Sequence, residues 1–266
     1  MDRLSSTQNT KRIMRIALGV EYDGAHFSGW QFQAHAPNVQ GVVEAALSKV
    51  ANHPVKVICA GRTDAGVHAL GQVIHADVKV QRTMRSWILG TNTNLPRNVS
   101  ILWAQAVDDN FHARFSAQAR HYRYVIVNRP TRLALFAQHQ TWERRPLDVE
   151  QMQRAGRYLM GTHDFSSYRA VACQAKNPVR TLLQLQISRR DEQVIIEISA
   201  NAFLQHMVRN IVGVLVTIGR GDQNPEWAQV VLEARDRKAG GVTAPPFGLY
   251  FCKVDYPKPY LFPKGP

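Results

Sequence analysis

Between residues 15 and 22 the apolar side chains Ile16, Leu18, Val20 and Tyr22 alternate with Ala17, Gly19 and Glu21, the two-residue period of a half-buried strand, and Asp23-Gly24 ends it. The period then changes. Val39, Val42, Val43, Ala46, Leu47 and Val50 recur at helical spacing behind Asn38, a residue type suited to capping a helix. Strands are predicted over 55–59 and 70–80, a helix over 84–90 and a strand over 99–107. A second series follows: a strand at 121–128, then a helix with Val149, Met152, Gly156 and Leu159 on one stripe and Asp148 and Gln151 placed as a capping box. Strands at 181–187 and 194–200 come next, then a strongly apolar helix at 203–218 stopped by Gly219, a helix opened by Asn224-Pro225, and a last strand at 248–254.

Strand, helix, strand, strand, helix, strand thus occurs twice, which predicts an α+β fold of two ferredoxin-like (RRM-like) halves, residues 15–112 and 113–256. Their strands are expected to make a mixed, largely antiparallel sheet, with helices on one face and a central basic cleft on the other. Residues 1–14 read as a flexible extension and 257–266 as a tail without an assigned role.

Charge narrows the partners. Lys and Arg number 33 against 20 Asp and Glu, a net +13 with a pI near 10.0, which points to a polyanion and first to nucleic acid. The cysteines Cys59, Cys173 and Cys252 are odd in number and form no C-x-x-C pair, so neither a disulfide framework nor a thiolate metal site is indicated, and a reducing cytoplasm fits. The longest strongly apolar run, residues 211–218, falls far short of the roughly 20 residues of a membrane span. There is no P-loop, no G-x-G-x-x-G after a strand and no H-E-x-x-H, so chemistry without metal or cofactor is expected.

Three places could carry that chemistry. In Cys59-Ala-Gly-Arg-Thr-Asp-Ala-Gly-Val-His-Ala-Leu70, Gly61 and Gly66 bracket a turn with Asp64 at its tip. Asp64 could simply bond local amides as an Asx-turn residue, but Arg62 is a nearby cation favouring the ionised carboxylate, and His68 follows closely as a group that titrates or donates a hydrogen bond. Arg209 lies in the apolar helix and needs an acceptor: Asp64, Glu197, Asp222 or solvent. Finally, Phe111-His-Ala-Arg-Phe-Ser-Ala-Gln-Ala-Arg-His-Tyr-Arg-Tyr124 interleaves cations and aromatic rings, the mixture RNA readers use. Of its two tyrosines, at least one belongs to the core, and Tyr122, read as opening the strand, is the better candidate for the cleft.

Taken together, Tyr22-Asp-Gly-Ala-His-Phe-Ser-Gly-Trp-Gln31, Gly61-Arg-Thr-Asp-Ala-Gly-Val-His-Ala69, Ala113 to Tyr124, Phe203-Leu-Gln-His-Met-Val-Arg-Asn-Ile211 and Ala244-Pro-Pro-Phe-Gly-Leu249 resemble the bacterial tRNA pseudouridine synthase A family, from about residue 15 to residue 256. The resemblance implies that Asp64 is the nucleophile, Arg209 its basic partner, Tyr122 the ring that stacks on the target base, Arg62 the residue that helps displace the flipped nucleotide, and Leu249 a wall of the base pocket. It further implies isomerisation of uridine to pseudouridine at positions 38, 39 and 40 of the tRNA anticodon stem-loop by a cytoplasmic homodimer, with no cofactor, metal or membrane.

One carboxylate suffices for that reaction, since no water is added and no redox change occurs. Asp64 could attack C1′, add to C6 of uracil, or drive glycal formation, and the sequence does not separate these routes. A retaining glycosidase would need a second carboxyl about 5 Å away, and none accompanies Asp64 locally. A non-catalytic RNA-binding module and an RNA chaperone are the competing classes; the first lacks the RRM aromatic signature.

Overall fold

Asn38 sets the start of the first helix by geometry. Its backbone is extended, and its side chain accepts the Gly41 amide at 2.8 Å, satisfying a donor the helix cannot. The computed structural model describes residues 13–263, and there β1 (Met14–Tyr22) precedes α1 (Val39–Ala51), β2 (Ile58–Cys59), β3 (His68–Val78), α2 (Met84–Asn94) and β4 (Val99–Val107). The chain continues through β5 (Ala119–Asn128), β6 (Thr141–Glu143), α3 (Val149–Arg157), β7 (Gly161–Asp164), β8 (Val179–Arg190) and β9 (Gln193–Ala200) to α4 (Met207–Gly219), α5 (Trp227–Ala234) and β10 (Leu249–Asp255). Asp148 caps α3 as expected, accepting the Gln151 amide at 3.0 Å. The predicted extension, residues 1–14, lies outside the described residues except at its last two positions, and β1 begins at Met14.

One sheet runs β4-β1-β3-β10-β5-β9-β8-β7, with β2 also on β3 and β6 also on β5. Its pairs are antiparallel except β10 with β3 and β6 with β5. The first series therefore orders its strands β4-β1-β3-β2 and the second β10-β5-β9-β8. The two meet where β10 lies parallel to β3, with Tyr250 opposite His68 and Phe251 opposite Ala69. No helix of the described residues is long and apolar enough to cross a membrane.

Four departures from the sequence reading have physical causes. Strand β2 is shorter than 55–59 because α1 side chains take its donors: the Val55 amide goes to Ser48 Oγ at 2.8 Å and the Val57 amide to Glu44 Oε1 at 3.1 Å. Helix α4 starts at Met207, not at 203, because His206 sits at φ 61°, outside the right-handed helical region. Strands β6 and β7 have three and four residues, too few to show a period. The tail is not idle: Tyr260 donates to the Asp108 carboxylate at 2.9 Å and Phe262 stacks on Trp103 at 4.8 Å, covering the buried Phe111.

Helix α4 is pressed against the 242–244 segment. A Cβ on Gly213 would lie 1.9 Å from the Val242 carbonyl oxygen, a backbone atom with little room to yield. Gly213→Ala is expected to destabilise the protein by roughly 1–3 kcal/mol, read as a lower urea midpoint at unchanged slope.

Candidate active site

The loop from Ala60 to Val67 is held from both sides. The Ala60 amide donates to the Val73 carbonyl at 2.8 Å, and the Gln72 side chain donates to the Gly61 carbonyl at 2.6 Å. Thr63 Oγ1 lies 2.8 Å from the buried Tyr22 hydroxyl, while its carbonyl accepts the Trp30 amide at 3.0 Å. Gly29 makes this approach possible. At φ 96°, a Cβ there would be 2.7 Å from the Thr63 carbonyl oxygen and 3.1 Å from the Ala65 amide nitrogen. The rigid loop presents Asp64, whose carboxylate accepts no backbone amide among the described residues, so the local Asx-turn arrangement is not formed.

Across the chain, 145 residues away, Arg209 Nη1 lies 3.4 Å from Asp64 Oδ2, and its Nε donates to the Ala244 carbonyl at 2.8 Å. The other acceptors considered from sequence are engaged elsewhere, Glu197 with Arg123 and Asp222 with Arg145. His206 Nε2 also approaches Asp64 Oδ2, at 3.6 Å.

These groups face a cavity of about 810 Å³ whose walls include Tyr122, Arg62 and Leu249. Tyr122 is the fourth residue of β5, not its opener, and its ring is packed 4.8 Å from Phe251 and edge-on to Phe203 at 5.1 Å. Burial, reinforced by neighbouring acidic groups including Asp64, pushes its hydroxyl far above the usual phenol range, so it is neutral. Tyr124 is the core tyrosine: its hydroxyl donates to the Pro245 carbonyl at 2.8 Å. Leu249 is buried at the start of β10, and Arg62 is exposed with no ion pair among the described residues. Gln40 of α1 and Met207, Val208 and Arg209 of α4 also line the cavity, so helices border the cleft instead of lying wholly on its far side.

A family model described as tRNA pseudouridine synthase matches residues 19–116 and 155–257. The chain belongs to the tRNA pseudouridine synthase family. Relatives named tRNA pseudouridine synthase A include one of Pseudomonas aeruginosa, 55% identical over 95% of this chain and 89% of its own length. Another, of Alcanivorax borkumensis, is 56% identical over 96% of each chain, and one of Nitrosococcus oceani is 57% identical over 94% of this chain and 97% of its own. Among solved structures, a chain of a Cbf5-Nop10-Gar1 complex overlaps 88% of this chain and 57% of its own at TM-score 0.37 and 8% identity, too distant to bear on the argument.

For this tRNA pseudouridine synthase family member, the structure adds two wall residues that the sequence reading passed over. Arg120 is buried and has no carboxylate partner among the described residues; its guanidinium donates to the carbonyls of Ala117, Asn201, Ala60 and Arg114 at 3.0, 2.7, 3.2 and 2.6 Å. Burial lowers its pKa from the usual arginine value. Spacing offered a signal for Arg120, two residues before Tyr122 on one strand, whereas His206, at φ 61° just ahead of α4, reaches Asp64 through its own turn.

His68, by contrast, does not serve Asp64. It pairs with Tyr250, whose neighbour Phe251 packs on Tyr122, and adjacent strand residues point to opposite faces. With Asp23 and His139 it forms a cluster whose possible ligand atoms lie within 4.8 Å of one another. Those atoms already satisfy one another. His68 Nδ1 lies 3.0 Å from Asp23 Oδ1 and 3.1 Å from the Gly24 amide, its Nε2 lies 2.9 Å from the Gln138 carbonyl, and His139 Nε2 lies 2.9 Å from Asp23 Oδ2. Burial lowers the His68 pKa below the usual imidazole value, consistent with a neutral ring.

Proposed function

We propose that this chain is an isomerase that converts uridine to pseudouridine in tRNA, with the cavity around Asp64 as its active site. One observation carries this reading beyond family membership: among the described residues the cavity is lined by a single carboxylate, Asp64, and by the arginines Arg62, Arg114, Arg120, Arg180 and Arg209. Such a wall suits a polyanion from which one base is drawn out of its stack.

In the reaction the N1–C1′ bond breaks, the uracil turns, C5 joins C1′, the C5 proton leaves and N1 gains a proton. Asp64 supplies the one nucleophilic or basic group this requires, by attack at C1′, by addition at C6 or through a glycal. Arg209 positions and balances its charge. Tyr122 stacks on the base as a neutral ring, Leu249 closes the pocket, and Arg62 occupies the space the flipped nucleotide leaves. The apolar packing of Tyr122, Phe203 and Phe251 keeps water from the detached base.

The reading extends to positions 38, 39 and 40 of the anticodon stem-loop, to a cytoplasmic homodimer whose two subunits share one tRNA, and to ferredoxin-like halves at 15–112 and 113–256. The repeated strand order β4-β1-β3-β2 and β10-β5-β9-β8 supports the last, and three free cysteines suit a reducing compartment.

The test is release of tritium from C5-labelled uridine in tRNA transcripts. Release is expected from transcripts carrying uridine at positions 38 to 40 and to vanish when all three are cytidine. Equal release from the cytidine transcript would move the target elsewhere in the tRNA, and no release from any transcript would remove the isomerase reading.

A further inference from the structure

The segment from Phe111 to Ala117 holds two phenylalanines with opposite fates. Phe111 is 0% exposed, wedged among Tyr256, Tyr260 and Phe262, whereas Phe115, four residues on, is 76% exposed. A single apolar ring left in water is ordinary on a folded surface; what sets Phe115 apart is the fixed backbone beneath it and its tie to the Asp64 cavity.

Here it is fixed at nearly every residue. The His112 amide donates to Ser116 Oγ and the Ser116 amide to the His112 carbonyl, each at 2.9 Å. His112 Nδ1 receives the amides of Arg114 and Phe115 at 3.2 and 3.1 Å. The Ala113 amide donates to His75 at 3.1 Å, and its carbonyl accepts from the Tyr256 hydroxyl at 2.7 Å. Phe115 lies on the His112 imidazole, centroids 4.3 Å apart and planes 27° from parallel, and the Arg114 guanidinium lies over the ring at 5.6 Å from its centre, yet most of the side chain remains in solvent.

This turn is also tied to the active site. Arg114 lines the cavity that holds Asp64, and its carbonyl accepts from the Arg120 guanidinium, which also holds the Ala60 carbonyl at the root of the Asp64 loop. An exposed aromatic ring with an arginine over it, next to a cavity suited to a flipped nucleotide, offers what an unpaired base and its phosphate require.

We propose that Phe115 and Arg114 form a stacking platform for an unpaired tRNA base flanking the target uridine. The proposal rests on the cavity being the uridine-isomerising site. The platform base adds its face to Phe115 and its phosphate to Arg114, so the nucleotide next to the target is held while the target turns. Phe115 is thus a binding residue, and its loss weakens substrate capture more than turnover.

The probe is tRNA transcript with 2-aminopurine placed in turn at the nucleotides flanking the target, read by fluorescence together with tritium release. Wild-type protein is expected to alter the stacking signal at one flanking position, and Phe115→Ala to abolish that change and raise KM by about tenfold, with a smaller effect on kcat. Phe115→Trp should restore both, while Phe115→Leu, which keeps an apolar side chain and guards against misfolding of the alanine variant, should behave as alanine does. Unchanged KM and fluorescence in Phe115→Leu would overturn the platform, as would a shift in oligomeric state on Phe115→Ala, which would make the ring a contact between copies of the chain. A wild-type fluorescence change without tritium release would leave Phe115 as a base-stacking residue but overturn both the isomerase and the placement beside a target uridine; tritium release without any fluorescence change would overturn the platform alone.

Discussion

Asp64→Asn is expected to stop tritium release, with turnover falling by about 10⁴-fold or more while tRNA binding is kept. The substitution is nearly isosteric, and the loop does not depend on the carboxylate: its shape comes from the Thr63 contacts to Tyr22 and Trp30, the Gln72 brace at Gly61 and the close approach of Gly29. An amide there keeps the Arg209 side in contact through its oxygen, yet it can neither attack carbon nor accept a proton usefully. Among the described residues the cavity wall holds no second acid, so no neighbour there is expected to stand in for it. The measurement is single-turnover release alongside a filter-binding titration, and residual turnover within tenfold of wild type would place the reacting group elsewhere.

Arg209→Met is the next largest expected loss, about 10²- to 10³-fold in kcat, the range seen when one charge-stabilising donor is removed from an enclosed site. Arg209 has two tasks. Its Nη1 addresses Asp64 at 3.4 Å, and its Nε fixes the Ala244 carbonyl at 2.8 Å, close to the Pro245 carbonyl that receives the Tyr124 hydroxyl. Arg209→Lys keeps a cation but not the fork that serves both, so it should recover part of the rate and not the whole. Melting curves of the two variants separate the tasks. If both lose stability equally and kcat falls equally, the role of Arg209 is to hold the 244–245 turn; if Lys recovers rate without recovering stability, its role is electrostatic.

Much of the fold was legible because most strands and helices are long enough to show a period. The two caps, Asn38 and Asp148, were readable for the same local reason, since a cap is a short-range bond. What escaped depends on partners distant in the chain. The parallel contact of β10 with β3 involves two residue pairs and leaves no periodic trace, and Ser48 and Glu44 shorten β2 through bonds no propensity records. Within the site, Asp64 stood out by its position in a glycine turn, and Arg209 by a charge embedded in an apolar helix. Arg120 did not, because its acceptors are main-chain carbonyls, which every residue possesses. The direction of His68 was equally hidden, since it follows from the register of β3 against β10.

The parallel seam between β3 and β10 has a consequence for how the site comes into being. Asp64 belongs to the first series of strands and helices, Tyr122 and Arg209 to the second, and the cavity spans that seam, walled by residues from Ser28 to Leu249. During synthesis, which proceeds from the N-terminus, Asp64 is made long before the strand that completes the sheet beside it. An incomplete chain therefore carries Asp64 without Arg209, Tyr122 or Leu249, and the cavity is not complete until its final strand is in place.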